Sequence, residues 1–374
     1  MMGTFLVILV LVLAIILHEF GHFITAKLFK VKVLVFSIFF WTPKKLLGYL
    51  SFKFRGTVYK LGLLPLGGFV QMKGFVKADK PPNPTIQEYM KNDPALKEGS
   101  VVNFDNTDQD AFINKPIWQR AIILAAGSVT NIVLAFIFFT TAFLIGFESY
   151  TNDVKPVKQS PIYESGVKKP IKIISVNNIN TKTYFDVVTT LNKFYPNPVN
   201  IRYITCDNSS CKDKVVTVKP KKIGKTYMIG IKPLGKTYTK KHNFFSAINR
   251  SAKLTLLFPY LYLKQIPKSK STDIAGPVGI VYIGSTVYKI DKFAFLMFCG
   301  MLMMILGIVN LLPLPILDGG HILFLLIEKL RGKPLSLQTQ NRVSTVMLII
   351  LLFLTIFFLH NDISNICNGV NHLR

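Results

Sequence analysis

Acidic residues are scarce in this chain, with 19 Asp and Glu against 45 Lys and Arg in 374 residues, and charge of either sign reaches only 17%. Half of the residues are apolar and the mean hydropathy is +0.38. That balance excludes a disordered tail protein and an ordinary soluble enzyme, whose surface could not hide so much apolar area. A membrane protein remains. No Lys or Arg precedes Lys27. Without a basic n-region or an A-x-A-like cleavage site, the first apolar run is expected to stay as a span and not to leave as a signal peptide. Cysteine is also rare, four in all, and no second Cys or His pair stands near Cys206 and Cys211 to complete a zinc ribbon. Their sequence, CDNSSC between strand-like runs at 200–205 and 214–218, suits a disulfide pinning a hairpin loop in an oxidising compartment. Cys299 and Cys367 are isolated and read as inert.

Four apolar stretches, 3–24, 117–147, 293–317 and 343–359, reach the roughly 20 residues that a bilayer requires. Basic residues cluster between the first two, from Lys27 through Arg55 and Lys60, and between the last two at Lys329, Arg331, Lys333 and Arg342. By the positive-inside rule both connections are cytoplasmic, so both termini and the long segment between the second and third spans lie outside the cytoplasm. The net charge of +26 then orients spans and coats surfaces near anionic lipid, and it calls for no nucleic acid.

The expected architecture is a polytopic α-helical membrane protein with four transmembrane helices. The first is 1–27; 28–116 forms a membrane-associated β-hairpin region and a polar loop, because 31–74 alternates in places and is punctuated by Gly and Pro. The second span is 117–147, followed by one small extracytoplasmic domain at 148–238. An amphipathic segment at 239–292 is expected to lie in the interface, with Leu254, Leu257 and Leu261 set against Arg250, Lys253 and Lys264. Then come a third span at 293–320, a connection at 321–342, a fourth span at 343–360 and a tail at 361–374.

The chemistry sits where polar residues interrupt the apolar runs. His18-Glu19-Phe20-Gly21-His22 closes the first span as an HExxH. Residues i and i+4 share a helix face, so two imidazoles can hold one Zn²⁺ while Glu19 stands beside it to take a proton from water. Ionisable groups inside a span are costly and read as functional. A catalytic zinc needs a third protein ligand. Asp318 and His321, in NLLPLPILDGGH at 310–321, are the other acidic or imidazole groups beside a span at that depth, and chemistry alone leaves the choice between them open.

HEFGH paired with NLLPLPILDGGH resembles the site-2 protease family of intramembrane zinc metalloproteases, and within it the bacterial regulator-of-sigma-E protease group. PLGGFVQM at 65–72, AGSVTN at 126–131 and IAGPVGI at 274–280 extend the likeness over nearly the whole chain. The resemblance implies His18, His22 and Asp318 as zinc ligands and Glu19 as general base. It also implies Asn310 as a contact to the substrate backbone, and the region of Val58, Gly67 and Gly68 as a strand edge that pairs with unwound substrate. The exported domain would be PDZ-like, from SPIYESGV at 160–167 and IISVNN at 173–178, and could bind a peptide or a C-terminus. Pro170-Ile171 replaces the Gly-Asp usual in the family, which puts the peptide groove in question.

The activity expected is hydrolysis of peptide bonds within single-span membrane proteins, such as an anti-sigma factor or a signal-peptide remnant, in a bacterial inner membrane. A membrane metal transporter and an inactive PDZ-bearing scaffold are the alternatives. The first is disfavoured by the small number of spans and the lack of a visible repeat, the second by the complete catalytic set.

Overall fold

The computed structural model describes residues 1–40, 50–64, 67–75, 108–207, 210–223, 226–235, 237–265 and 275–367. The chain divides into two compact units, one formed by Met1–Ala142 with Phe244–Arg374, the other by Phe143–Asn243. Four helices are long and apolar enough to cross a membrane, and they fall on the four stretches expected.

In the first unit, α1 (Met2–Leu28) buries Gly3, Val7, Ala14, Gly21, His22 and Ala26, which apart from the adjacent Gly21 and His22 are spaced by four or seven residues and form one seam. Along α2 (Ile117–Ile145) the seam runs through Arg120, Leu124, Gly127, Ser128, Asn131, Ala135, Phe139 and Ala142, while Val129, Val133 and Ile137 face out. Gly, Ser, Asn and Ala take most of the inner face beside Leu124 and Phe139, and such small and polar residues are what helices packed in lipid place at their contacts.

Between these helices lie four short strands, β1 (Val33–Ile38), β2 (Ser51–Phe54), β3 (Thr57–Leu61) and β4 (Phe69–Met72), in the order β2-β3-β1-β4. β1 is parallel to β3 and antiparallel to β4. Its residues Val33 to Ser37 are all buried, as suits an interior strand that is apolar in every position but Ser37. The buried Thr57 hydroxyl accepts from Lys27 Nζ at 2.9 Å and donates to the Val33 carbonyl at 2.9 Å, tying the sheet to the end of α1. The polar loop expected beyond Val76 lies, for residues 76–107, outside the described residues.

The second unit opens with β5 (Phe147–Tyr150), β6 (Asp153–Pro156), a helical turn α3 (Pro161–Glu164), β7 (Ile171–Val176), β8 (Ile179–Asn180) and α4 (Tyr184–Phe194). It continues with β9 (Val199–Asp207), β10 (Ser210–Val218), β11 (Lys221–Ile223), β12 (Thr226–Met228), β13 (Ile231–Pro233) and β14 (Thr237–Lys240). The main sheet has the order β10-β9-β7-β6-β13, with β8 on β7. Its core is conventional: Val154, Ile162, Ile173, Val187, Val199 and Ile201 are buried together. Thr183 and Asp186 cap α4 reciprocally, through Asp186 N–H to Thr183 Oγ1 at 2.9 Å and Thr183 N–H to Asp186 Oδ2 at 3.0 Å. Cys206 and Cys211 face each other across the β9–β10 ladder and are joined as a disulfide.

The later helices depart from the expected boundaries. Between 239 and 292 stand two helices, α5 (Phe244–Gln265) and α6 (Pro277–Ile290). α5 turns Leu254 and Phe258 onto the cluster around Ala14, Ala135 and Phe139, while Leu257 and Leu261 are exposed. α6 packs into the bundle, where glycines allow close approach: Gly3 of α1 meets Ser285, and Gly284 meets Val7 and Phe298. α7 (Lys292–Asn310) stops ten residues short of 320, because the prolines at 313 and 315 force a turn. Within the 321–342 connection most of the chain is helical, since α8 (Asp318–Arg331) has an amphipathic sequence that buries Leu325. α9 (Leu337–Cys367) is longer at both ends than expected.

Candidate metal centre

One turn of α1 brings His18 and His22 together, rings edge to face with centroids 4.9 Å apart. Across from them α2 presents Gly127. A Cβ there would lie 2.7 Å from His18 Nε2 and closer still to His22 Nε2, so the glycine is the notch that admits both imidazoles. One turn earlier the Ile123 carbonyl accepts from His22 Nδ1 at 2.8 Å, which places that ring's proton on Nδ1 and leaves the Nε2 lone pair free. One turn later the Asn131 amide lies 3.3 Å from His18 Nδ1, and its Oδ1 is buried without a hydrogen bond. The two ends of an amide differ only in hydrogen-bond role. With Oδ1 toward the ring, Asn131 accepts from Nδ1–H and frees the Nε2 of His18 as well.

Asp318, the first residue of α8, completes the cluster. Its Oδ2 lies 3.2 Å from His18 Nε2 and 3.4 Å from His22 Nε2, and accepts from Ser128 Oγ at 3.2 Å. The two imidazole Nε2 atoms are 3.3 Å apart. A tetrahedral zinc with bonds of about 2.0–2.1 Å spaces its ligand atoms about 3.4 Å from one another. Two neutral imidazoles and a carboxylate at that spacing fit Zn²⁺, and among the described residues His18, His22 and Asp318 form the group able to hold a metal. Gly319 and Gly320 let the 311–317 turn fold back on the start of α8, since side chains there would strike the carbonyls of Leu311, Leu312 and Leu314. The turn thereby sets Asp318 beside α1.

A cavity of about 340 Å³ opens beside the cluster and is lined by His18, Glu19, Gly67, Gly68, Asn131, Asn310 and Asp318. The β4 end of the sheet forms one wall, where Gly68 abuts Glu19 so closely that an added Cβ would lie 2.9 Å from its Cγ. Asn310, the last residue of α7, also lines it. Val58 is not there. It pairs with Val35 on one side and Lys53 on the other, so its strand is interior, and β4 is the sheet edge beside the cavity among the described residues. His321 turns away, between the rings of Phe75 and Phe324. Gly127 and Ser128 were quoted within AGSVTN but given no role from sequence, and the Ile123 carbonyl was not singled out. Their signal is the i, i+4 spacing of 123, 127 and 131 along α2, which acquires meaning only when that face meets α1.

The sequence profile of Peptidase family M50 matches residues 6–354, more than nine-tenths of the chain. The chain belongs to peptidase family M50. A Campylobacter jejuni protein carrying a zinc metalloprotease name is 30% identical over 376 residues, covering 96% of this chain and 92% of that protein. A similarly named Rickettsia conorii protein is 29% identical, with 96% and 98% covered. The regulator of sigma-W protease RasP of Bacillus subtilis is 27% identical, with 93% and 95% covered. This M50 peptidase is an intramembrane zinc metalloprotease with several spans. The transporter and scaffold alternatives gain no support from these relatives.

Elsewhere in the M50 chain, the second unit carries an apolar groove of about 290 Å³ between α4 and residues 227–231, lined among others by Val188, Leu191, Tyr195 and Ile229. Burial, and then the neighbouring Tyr184, push the Tyr195 phenol up to about 12. Ile171 is buried at the start of β7, and neither it nor Pro170 lines the groove.

Proposed function

We propose that His18, His22 and Asp318 hold Zn²⁺ and that Glu19 is the general base of peptide hydrolysis inside the membrane. The observation that carries this reading is the set of mutual separations, 3.2, 3.3 and 3.4 Å, with a cavity at its open side. Zn²⁺ bound there supplies a Lewis acid that polarises the scissile carbonyl and acidifies water. Glu19 takes the proton from that water and returns it to the leaving amide nitrogen. Asn310 donates to the substrate backbone. The β4 edge with Gly67 and Gly68 receives an unwound substrate segment as an added strand, replacing the hydrogen bonds lost when its helix opens. Glycine suits this wall, since a side chain at 68 would fill the approach to Glu19.

The substrates are single-span membrane proteins such as an anti-sigma factor or a signal-peptide remnant, a reading in keeping with a relative named for regulation of sigma-W. Both termini face the extracytoplasmic side of a bacterial inner membrane, as the distribution of Lys and Arg favours. The 143–243 unit is a PDZ-like domain on that side, whose α4 groove takes a peptide or a C-terminus and filters or regulates access. Its disulfide is in keeping with an oxidising compartment.

Glu19→Gln tests the reading. Cleavage of a single-span reporter is expected to fall by about 10²–10⁴-fold while zinc content stays near one per chain. Membranes of cells carrying the variant should accumulate short single-span fragments. Full cleavage by Glu19→Gln contradicts the assignment of the base.

A further inference from the structure

A second cavity, of about 590 Å³, lies between α2, α8 and the start of α9, with Phe75 and Phe112 on one wall. It shares no lining residue with the cavity at the metal cluster. Arg120 reaches into it from the first turn of α2 and is only 4% exposed. Both terminal nitrogens of its guanidinium bond to Glu328 of α8, but Nε is buried with no partner. Glu328 is the one carboxylate among the lining residues, and it is matched by Arg120. Arg331 and Lys333 line the same cavity, so it holds two positive charges beyond that neutral pair. The N-terminus of α9 adds its dipole, with Ser336 Oγ accepting from the Thr339 N–H at the mouth.

The depth of the cavity follows from the helices that frame it. Arg120 belongs to the first turn of the candidate span Ile117–Ile145, and Gln340 and Asn341 to the first turn of the candidate span Gln338–Asn365. Two spans begin here, so the cavity lies at the level where hydrocarbon gives way to headgroups. Its walls divide accordingly: Phe112, Phe324 and Leu325 offer apolar surface, while Arg331, Lys333, Gln340 and Asn341 offer donors. Basic pockets between spans at this level recognise anionic lipid headgroups.

We infer that this cavity binds the glycerophosphate head of an anionic phospholipid, its phosphate held by Arg331 and Lys333 with Gln340 and Asn341 beside them, and its glycerol backbone resting on the apolar wall. Inorganic phosphate would use the charges and leave that wall uncovered, which separates the two sources. The site requires no event at the metal cluster, so it stands or falls apart from the proposed chemistry.

The test is native mass spectrometry of the full chain in a neutral detergent, titrated with phosphatidylglycerol, phosphatidylcholine, glycerol 3-phosphate or inorganic phosphate. One tightly retained phosphatidylglycerol per chain is expected. Arg331→Ala with Lys333→Ala should weaken it about 30-fold, at about one kcal/mol for each basic residue near the lipid surface. Arg331→Gln with Lys333→Gln should give the same loss with less disturbance of an exposed turn. Lys329→Ala, an exposed lysine of α8 outside the lining, should bind as the parent does. Equal retention of phosphatidylcholine, or unchanged binding in both double variants, overturns the inference. Displacement of phosphatidylglycerol by an equal concentration of glycerol 3-phosphate or inorganic phosphate overturns the lipid as the source.

Discussion

In the 143–243 unit the fully buried side chains include Val154, Ile162, Ile173 and Ile201, and lysines such as Lys155 and Lys172 face outward. In the helical unit Ser128, Asn131 and Asp362 are buried, and Leu352, Phe353 and Ile356 lie on the outside. The contrast follows from the solvent each is built for. In water, burying an isoleucine removes apolar area from the solvent and drives folding. In lipid that gain vanishes, and helices are brought together by small residues and by polar groups that find partners. Asp362 shows the structural use of such a group: its two oxygens accept the N–H groups of Gly276 and Gly279 at 2.9 and 2.8 Å, capping α6 from inside α9. Ser128, Asn131 and Asp318 are polar groups of the same kind, here brought together with His18 and His22. Buried polarity in the helical unit thus serves packing, as at Thr57 and Asp362, and gathers at the candidate metal centre, where in the other unit it marks mainly turns and caps.

The sharpest way to break this comparison is to fill the notch. Gly127→Val should displace the His18 and His22 rings and reduce zinc affinity at least about 100-fold, measured as metal retained against a chelator, while far-ultraviolet dichroism shows the helices intact. Unaltered retention would mean that the close approach of α2 to α1 does not shape the site. Next in size is a charge on the outer face. Phe353→Arg places it in the middle of α9 and is expected to cost about 2.5–3.5 kcal/mol of membrane insertion, read from the inserted fraction in a translocation assay. Val215→Glu, also exposed but on β10 opposite Arg202, should change the melting free energy by less than about 0.5 kcal/mol. Similar costs at the two positions would erase the distinction between the units. Between these lies the staple: replacing both Cys206 and Cys211 by Ser should destabilise the second unit by about 2 kcal/mol, the entropy of so short a loop, and leave the zinc content unchanged.

Much of the site was legible because its residues are chemically out of place. His18, Glu19, His22, Asn310 and Asp318 interrupt apolar runs, and the HExxH spacing fixes the face they share. Local chemistry could not choose Asp318 over His321. That choice depends on the 311–317 turn, which lays one beside α1 and sends the other toward Phe75. The edge that the resemblance implied at Val58 lies instead at β4, since β3 sits between β2 and β1, and the crossover that puts β3 beside β1 leaves no local trace in an alternating strand. The disulfide hairpin, by contrast, is a contact between close neighbours in sequence, and both its strands and its cysteines could be read directly. α6 escaped notice as a bundle helix because its 14 residues are too few to resemble a span, and its packing rests on glycines whose partners lie on other helices.

The central claim is that two imidazoles and one carboxylate hold the zinc. X-ray absorption at the zinc edge of the purified full chain counts those ligands. The expected spectrum fits two imidazole rings and light oxygen or nitrogen donors at about 2.0–2.2 Å with no sulfur, and in Asp318→Asn the zinc is lost or its first shell altered. A fit requiring three imidazoles, or a shell unchanged in Asp318→Asn, would contradict the account and move the third ligand to His321 or elsewhere.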